Sequence, residues 1–334
     1  MAEWLYEDGI GEARAALVED SGILEACIEP DGDGAKPGAI CEARLVEILP
    51  NRRAGRLELH GGEPALIEPL PPGPTEGETL LVEIVRGAIP EPGKRKSARA
   101  RPAAKGRSAS PAMGLLDRLQ ATDHPVRTLA AHEPDALEAA GWSELLEQAA
   151  TGAVAFAGGA LRIALTPAMT VIDVDGALPP AELTRAGARA AGEAIRRLDI
   201  GGSTVIDLPS LSAKADRQAA AEAFDSALPQ PFERTSVNGF GLLQIVRKRL
   251  RPSLLEYAQY EGSATAARAL LRRAERAGGS GEVTLTAHPA IIAQFDAHPD
   301  WLAKLERRVA APVAVKPDPA LGLWGGHASA AHPG

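Results

Sequence analysis

Two stretches of the chain end in acidic side chains that directly follow apolar residues. The segment Met169-Thr-Val-Ile-Asp-Val-Asp-Gly176 carries Asp173 and Asp175 at its end, and Ser203-Thr-Val-Ile-Asp-Leu208 repeats the pattern with Asp207. Residues two apart on a strand project from the same face, so Asp173 and Asp175 should point together. A helix between the two stretches would make a βαβ unit, in which the strand ends lie side by side and ligands bind beyond them.

Carboxylates that converge in this way repel one another unless one takes up a proton or a cation lies between them. The nearby sequence offers oxygen ligands only, without His or Cys, so Mg²⁺ is the expected ion, with Mn²⁺ as the alternative. A second interpretation is that Asp173, Asp175 and Asp207 only cap loops at strand ends.

The elements that would position these aspartates alternate between strands and helices. Apolar and β-branched runs predict strands over 161–165, 169–174, 203–208 and 232–237. Helix periodicity and flanking prolines predict helices over 180–198, 213–228 and 241–250. This order predicts an α/β layer with a largely buried sheet.

The first ninety residues have a different pattern, with short strands predicted over 15–18, 41–49, 56–59, 65–67 and 79–85. Gly, Pro and Asp separate these strands, which suggests a small β-barrel. Residues 1–91 carry 19 acidic and seven basic side chains, whereas residues 94–107 carry seven basic side chains and no acidic one. The latter stretch, which includes Lys94, Arg95 and Lys96, is interpreted as a basic linker, either a solvated tether or an arm on phosphates.

A second basic stretch, Arg247-Lys248-Arg249-Leu-Arg251, closes the third predicted helix. Cations in a last helical turn can simply interact with the helix dipole. Alternatively, they bind phosphates beside the acidic site, which would otherwise repel a polyanion.

Composition excludes several classes of protein. The chain has 334 residues, a net charge of −8 and 45% hydrophobic residues, so it should form more than one domain with a real core. Two cysteines exclude a disulfide framework and a Cys₄ zinc site. No apolar run reaches about 18 residues, and the acidic N-terminus lacks the features of a secretory signal, so no membrane partner and a cytoplasmic location are expected. Phosphate-binding glycine motifs for nucleotides are absent.

Three segments of the chain resemble the bacterial ribonuclease E/G family. They are Gly158-Gly-Ala-Leu-Arg-Ile-Ala-Leu-Thr-Pro-Ala-Met-Thr-Val-Ile-Asp-Val-Asp-Gly176, Leu198-Asp-Ile-Gly-Gly-Ser-Thr-Val-Ile-Asp207 and Phe240-Gly-Leu-Leu-Gln-Ile-Val-Arg-Lys-Arg-Leu-Arg-Pro-Ser-Leu254. Residues 13–89 resemble, more weakly, the leading region of that family with its inserted RNA-binding barrel.

The resemblance implies a fold and an activity. The expected fold is an N-terminal β region with an OB-type RNA-binding barrel (1–92), the basic linker (93–110), an α/β catalytic domain with a DNase I-like subdomain (111–255), a small C-terminal α/β domain (256–325) and a tail (326–334). The expected activity is Mg²⁺-dependent endonucleolytic cleavage of single-stranded RNA by a metal-activated water, which leaves 5′-phosphate and 3′-hydroxyl ends.

The same resemblance implies roles for individual residues. Asp173 and Asp207 would hold the metal, and Asp175 lies where the family carries an Asn that contacts the scissile phosphate. The residues expected to bind RNA are Arg247, Lys248, Arg249, Arg251, Arg56, Lys94, Arg95 and Lys96.

The chain also departs from the family pattern. Asp175 places an anion where the family has an amide, and Arg56 and Leu66 stand where the barrel carries RNA-stacking aromatics. Tyr257-Ala-Gln-Tyr260 replaces the zinc-binding Cys-Pro-x-Cys, so no zinc and a monomer or weak homodimer are expected. The 5′-monophosphate sensor has no counterpart. These departures keep two alternatives open: a non-catalytic RNA-binding or regulatory relative, and a Mg²⁺-dependent hydrolase of another phosphodiester.

Overall fold

The computed structural model describes residues 1–20, 22–32, 34–50, 53–277 and 279–332. They form two compact units, each assembled from non-consecutive segments. Unit 1 contains Met1–Asp31, Leu119–Thr151 and the chain from Tyr257 onward, and unit 2 contains Gly32–Arg118 and Gly152–Glu256. The consecutive domains that the resemblance implies do not coincide with these units, because the chain passes between the units four times.

The strands are numbered along the chain. They are β1 (Glu3–Asp8), β2 (Glu12–Glu19), β3 (Gly22–Pro30), β4 (Ile40–Ile48), β5 (Gly55–Glu58), β6 (Pro64–Ile67), β7 (Thr79–Arg86), β8 (Ile89–Glu91), β9 (Lys94–Lys96), β10 (Ala98–Pro102), β11 (Val126–Thr128), β12 (Ala153–Phe156), β13 (Gly159–Leu165), β14 (Thr170–Gly176), β15 (Gly202–Asp207), β16 (Glu233–Arg234), β17 (Leu242–Arg247), β18 (Ser280–Ala287), β19 (Val313–Pro317) and β20 (His327–His332).

The helices are numbered in the same way. They are α1 (Leu115–Gln120), α2 (Ala136–Ala139), α3 (Trp142–Thr151), α4 (Pro180–Arg197), α5 (Lys214–Ala227), α6 (Leu254–Tyr260), α7 (Gly262–Glu275), α8 (Pro289–Ala297) and α9 (Pro299–Val309). None of the helices in the described residues has the length and hydrophobicity needed to cross a membrane.

The N-terminal part of unit 2 is a closed five-stranded barrel, as the sequence predicts, but the predicted strand at 15–18 lies in β2 of unit 1 and β10 takes its place in the barrel. Its strands follow the order β10-β6-β5-β4-β7. Alternate residues on these strands, such as Leu45, Leu57, Ile67 and Val82, are buried in the barrel core. This alternation is typical of strands with one face toward a core.

The interpretation of 93–110 as a linker is wrong over residues 94–102. Strand β10 closes the barrel by pairing with both β6 and β7, and β9 forms a two-stranded ribbon with β8. Ala98 and Ala100 are buried, while Arg99 and Arg101, which alternate with them, are exposed. The high charge of this stretch therefore reflects the solvent side of a barrel strand, and the barrel extends ten residues beyond the predicted boundary at 92.

The α/β part of unit 2 is a six-stranded sheet in the order β12-β13-β14-β15-β17-β16. Helices α4 and α5 pack against each other, and α4 contacts β12, β13 and β14. Ile172, Val174 and Ile206 are buried on the helix side of the sheet. A Cβ on Gly187 of α4 would lie 2.4 Å from Cγ1 of Val174, so glycine permits the close approach of helix and sheet.

The predicted helix over 241–250 is wrong, because this segment contains strand β17, which runs antiparallel to β15. Leu243 and Ile245 are buried, whereas Leu242, Gln244 and Val246 are exposed. That alternation has a period of two. A short run of Leu, Ile and Val fits a helix or a strand equally well, and pairing with β15 decides between them here.

Unit 1 contains a four-stranded sheet, β11-β1-β2-β3, and a three-stranded sheet, β19-β18-β20. The second sheet shares a core with α7, α8 and α9, in which Leu270, Leu285, Phe295 and Leu305 are buried. Residues 327–332 of the predicted tail form β20, which pairs with β18, so the tail interpretation is wrong for them. Their composition of alanine, serine and histidine suits an edge strand as well as a loose end.

Unit 1 also encloses a network of buried ion pairs. Arg268 donates to Glu12 at 2.6 Å, Arg272 donates to the other oxygen of Glu12, and Arg14 donates to Glu7 at 2.5 Å. All five side chains are at most 5% exposed. Buried ion pairs therefore link β1 to β2 and β2 to α7.

Candidate active site

The two Val-Ile-Asp segments lie next to each other in the sheet. Asp173 on β14 and Asp207 on β15 are register partners on parallel strands, so their Cα atoms lie about 5 Å apart. Both side chains are on the face opposite α4 and α5, because Ile172 and Ile206 occupy the helix side. Asp175 follows two residues further along β14 on the same face.

The carboxylates influence one another electrostatically. Burial raises the pKa of Asp173 above its ordinary value, and the negative charges of Asp175 and Asp207 raise it further. A hydrogen bond from the Val174 backbone and the charge of Arg162 act in the opposite direction. Burial and the two neighbouring carboxylates thus disfavour the charged form of Asp173, and a cation bound between the carboxylates would oppose both effects.

The donor set fits a hard divalent ion. Asp173 and Asp207 supply carboxylate oxygens, and Mg²⁺ is commonly held by one or two carboxylates while it keeps several waters. Among the described residues no group of three or more His, Cys, Asp and Glu side chains is arranged to hold a metal. An ion at this position would therefore have two protein ligands, Asp173 and Asp207, and open positions for a substrate.

Arg162 is a member of the site that sequence reasoning missed. It is the cross-strand partner of Asp173 on β13, and its Nε lies 3.8 Å from Oδ2 of Asp175. Its side chain is 74% exposed, which leaves most of the guanidinium free to contact solvent or a ligand. The sequence signal that could have placed Arg162 on the open face is its position between two apolar residues of a predicted strand, Leu161 and Ile163.

Phe240 is a second residue whose position sequence reasoning missed. Its side chain is 80% exposed, and it precedes Leu242, the cross-strand partner of Asp207. The turn that holds it is well ordered by hydrogen bonds. Oδ1 of Asn238 accepts from the backbone N–H groups of Phe240 and Leu242, and the hydroxyl of Ser210 donates to the Phe240 carbonyl.

Gly241 completes this turn with a φ of +90°, and a Cβ at this position would lie 2.0 Å from the Leu208 carbonyl oxygen. The backbone N–H of Leu208 donates to the carbonyl of Gly241. The turn that carries Phe240 is therefore fixed directly to the residue that follows Asp207.

The basic stretch 247–251 lies at the other end of the same strand pair. Leu242 is opposite Asp207, whereas Arg247 is opposite Gly202, five residues and about 16 Å away. Arg247 and Arg251 both pair with Asp199, at 3.3 and 2.7 Å. These two predicted RNA-binding residues are thus held by a carboxylate and are not beside the aspartate pair.

The remaining predicted RNA-binding residues are distributed over unit 2. Arg249 pairs with Glu256, and Lys248 is exposed. The others lie on the barrel or on its β8–β9 ribbon, where they are exposed; they are Arg56, Lys94, Arg95 and Lys96. Arg56 is the cross-strand partner of Leu66 and lies 3.3 Å from Glu47, while Lys94 and Lys96 both approach Glu91. No aromatic residue occupies the Arg56–Leu66 pair.

One comparison with known protein families gave a match, and this match includes the site. A search of curated proteins gave no match. Residues 113–250 match the model of the Ribonuclease E/G family, and this span contains β13, β14, β15 and the Phe240 turn. Residues 113–250, which include the paired aspartates of unit 2, therefore form a ribonuclease E/G family domain.

Proposed function

We propose that the protein is a Mg²⁺-dependent endoribonuclease that cleaves single-stranded RNA to 5′-phosphate and 3′-hydroxyl ends. Membership of the family indicates ribonuclease activity in general. The observation that carries the finer proposal is the register pairing of Asp173 with Asp207 on one open face of the sheet. In the same proposal, the α/β sheet is the DNase I-like subdomain of the family and the barrel is of OB type.

The residues around the aspartates suit a phosphodiester substrate. When bound, Mg²⁺ would lower the pKa of a water and polarise a phosphoryl oxygen. Asp173 and Asp207 would hold the ion. Arg162, which lies on the neighbouring strand β13, would donate hydrogen bonds to a phosphate of the substrate. Asp175 would repel a phosphate, and its contact with Arg162 partly offsets that charge.

The first test is the dependence of cleavage on a divalent ion. Purified protein is expected to cut an unstructured RNA in Mg²⁺ or Mn²⁺ and to lose the activity in EDTA, with recovery when Mg²⁺ is restored. The products should carry 5′-phosphate ends, and 5′-triphosphate and 5′-monophosphate substrates should be cut equally well. Equal cleavage in EDTA would contradict the proposal, since the paired carboxylates would then have no ion to hold.

Phe240 provides the basis for preferring a single strand. An exposed aromatic ring on a fixed turn can stack on a base, and the bases of a duplex are not available for this contact. Phe240→Ala is expected to lower kcat/KM for single-stranded RNA about tenfold, whereas Phe240→Trp should remain close to wild type. Equal kcat/KM values for the alanine and wild-type proteins would show that the ring does not contact substrate.

A non-catalytic RNA-binding relative is the second candidate, and Asp175 is the observation that favours it. An exposed carboxylate lies beside Asp173, and the family carries an amide at this position. If Asp175→Asn converts an inactive protein into an active ribonuclease, the natural chain is a degenerate member of the family. If wild type is already active and Asp175→Asn changes the rate little, the first proposal is supported.

A further inference from the structure

Three arginines of unit 2 come together where the barrel meets the loop that follows β17. Arg86 and Arg99 are register partners on the antiparallel strands β7 and β10, next to a shift in register after Arg99, and the charge of Arg99 acts on Arg86. The backbone N–H of Gly87 donates to the carbonyl of Leu250 at 3.0 Å. Arg86 precedes Gly87 and Arg249 precedes Leu250, so this hydrogen bond brings the two arginines close together. We refer to Arg86, Arg99 and Arg249 as the arginine cluster.

Arg86 is the least satisfied member of the arginine cluster. Its Nη2 donates to the Ser97 carbonyl at 2.7 Å, but its Nε is buried and has no hydrogen-bond partner among the described residues. Burial, together with the charges of Arg99 and Arg249, lowers the pKa of Arg86 to about 10 against the opposing charge of Glu91. A positive charge on Arg86 beside those of Arg99 and Arg249 therefore lowers the stability of the folded protein.

Carboxylates compensate the arginine cluster only in part. Arg99 lies 3.7 Å from Glu68, and both side chains are half exposed, so this ion pair is weak. Arg249 pairs with Glu256. Like charges directly opposite each other on neighbouring strands destabilise a sheet, and a bound anion would remove this repulsion. Guanidinium groups match the oxygens of a phosphate, because each can donate two parallel hydrogen bonds.

We propose that the arginine cluster binds a backbone phosphate of single-stranded RNA at a point separate from the aspartate pair. Arg249 follows the Arg247 end of β17, whereas Asp207 lies opposite the Leu242 end. The cluster would therefore contact a phosphate several nucleotides away from the cleaved bond. The anion site follows from the arginines alone, and the choice of RNA as its ligand rests on the proposed function.

The test is RNA binding without cleavage. A labelled oligo(A) RNA is titrated in EDTA, and affinity is measured over a range of salt concentrations. Arg86→Gln and Arg99→Gln are each expected to weaken binding about fivefold and to reduce the slope of log affinity against log salt by about 0.7. Arg101→Gln is the matched control, because Arg101 lies two residues further along β10, carries the same charge and pairs with Glu83 through two hydrogen bonds.

Three results would overturn the proposal. Equal weakening by Arg99→Gln and Arg101→Gln would show a general effect of charge, and unchanged binding in Arg99→Gln would remove the site. Arg99 is half exposed, so its variant should fold even if Arg86→Gln does not. A thermal unfolding series separates the ligand sources: oligo(A) should raise the Tm of wild type, and an equal rise with inorganic phosphate at matched ionic strength would overturn the assignment to an RNA backbone. Loss of cleavage in EDTA tests the proposed function independently.

Discussion

Asp173→Asn and Asp207→Asn are each expected to reduce kcat/KM for single-stranded RNA by about a thousandfold or more. The two carboxylates would hold one divalent ion, and loss of a ligand removes several kcal/mol of charge stabilisation from the transition state, where about 1.4 kcal/mol corresponds to a factor of ten. The measurement is steady-state cleavage of a labelled RNA in Mg²⁺. A variant that retains a tenth of the wild-type kcat/KM would contradict a shared ion.

Stability provides the control for folding in these variants. Because burial and then the neighbouring negative charges raise the pKa of Asp173, its charged form is disfavoured in the folded protein. Asp173→Asn should therefore leave the Tm in EDTA unchanged or higher while activity is lost. Asp216→Asn removes an exposed carboxylate of α5 in the same unit and should change neither activity nor Tm appreciably.

Glu12→Gln is expected to lower the free energy of unfolding by about 3–5 kcal/mol. The reason is that Glu12 accepts from both Arg268 and Arg272, and its loss leaves two buried guanidinium groups without a counter-charge. Even with Glu12 present, burial lowers the pKa of Arg272 to about 10. Urea unfolding monitored by tryptophan fluorescence measures the change.

Two comparisons sharpen this prediction. Glu19→Gln, at the exposed end of the same strand, should change the free energy of unfolding by less than about 0.5 kcal/mol. Replacing Glu12, Arg268 and Arg272 together by apolar residues of similar size should recover most of the lost stability, since no uncompensated charge remains. A loss below about 1 kcal/mol for Glu12→Gln would show that water reaches the network.

Local pattern was sufficient to predict the arrangement of the aspartate pair. The repeated Val-Ile-Asp, the period of two along a strand and a helix that begins at Pro180 place Asp173 and Asp207 on neighbouring parallel strands. Each of these signals lies within about forty residues of sequence. The role of the pair in metal binding stays a prediction.

Features that depend on distant pairing were missed. Strand β10 has the composition of a linker, and only its pairing with β6 and β7 shows that Ala98 and Ala100 fill the barrel. Strand β17 is compatible with a helix until β15 is placed beside it. Arg162 became part of the site through its register with Asp173. None of these partners can be identified from local periodicity.

The most direct test of the central claim is the binding of Mn²⁺, a paramagnetic substitute for Mg²⁺, measured by electron paramagnetic resonance. Wild type is expected to bind one ion that Mg²⁺ displaces, and Asp173→Asn and Asp207→Asn should each weaken this binding at least about tenfold. Asp216→Asn should bind as wild type does. Wild-type affinity in both the Asp173 and the Asp207 variants would contradict a common ion between the two strands.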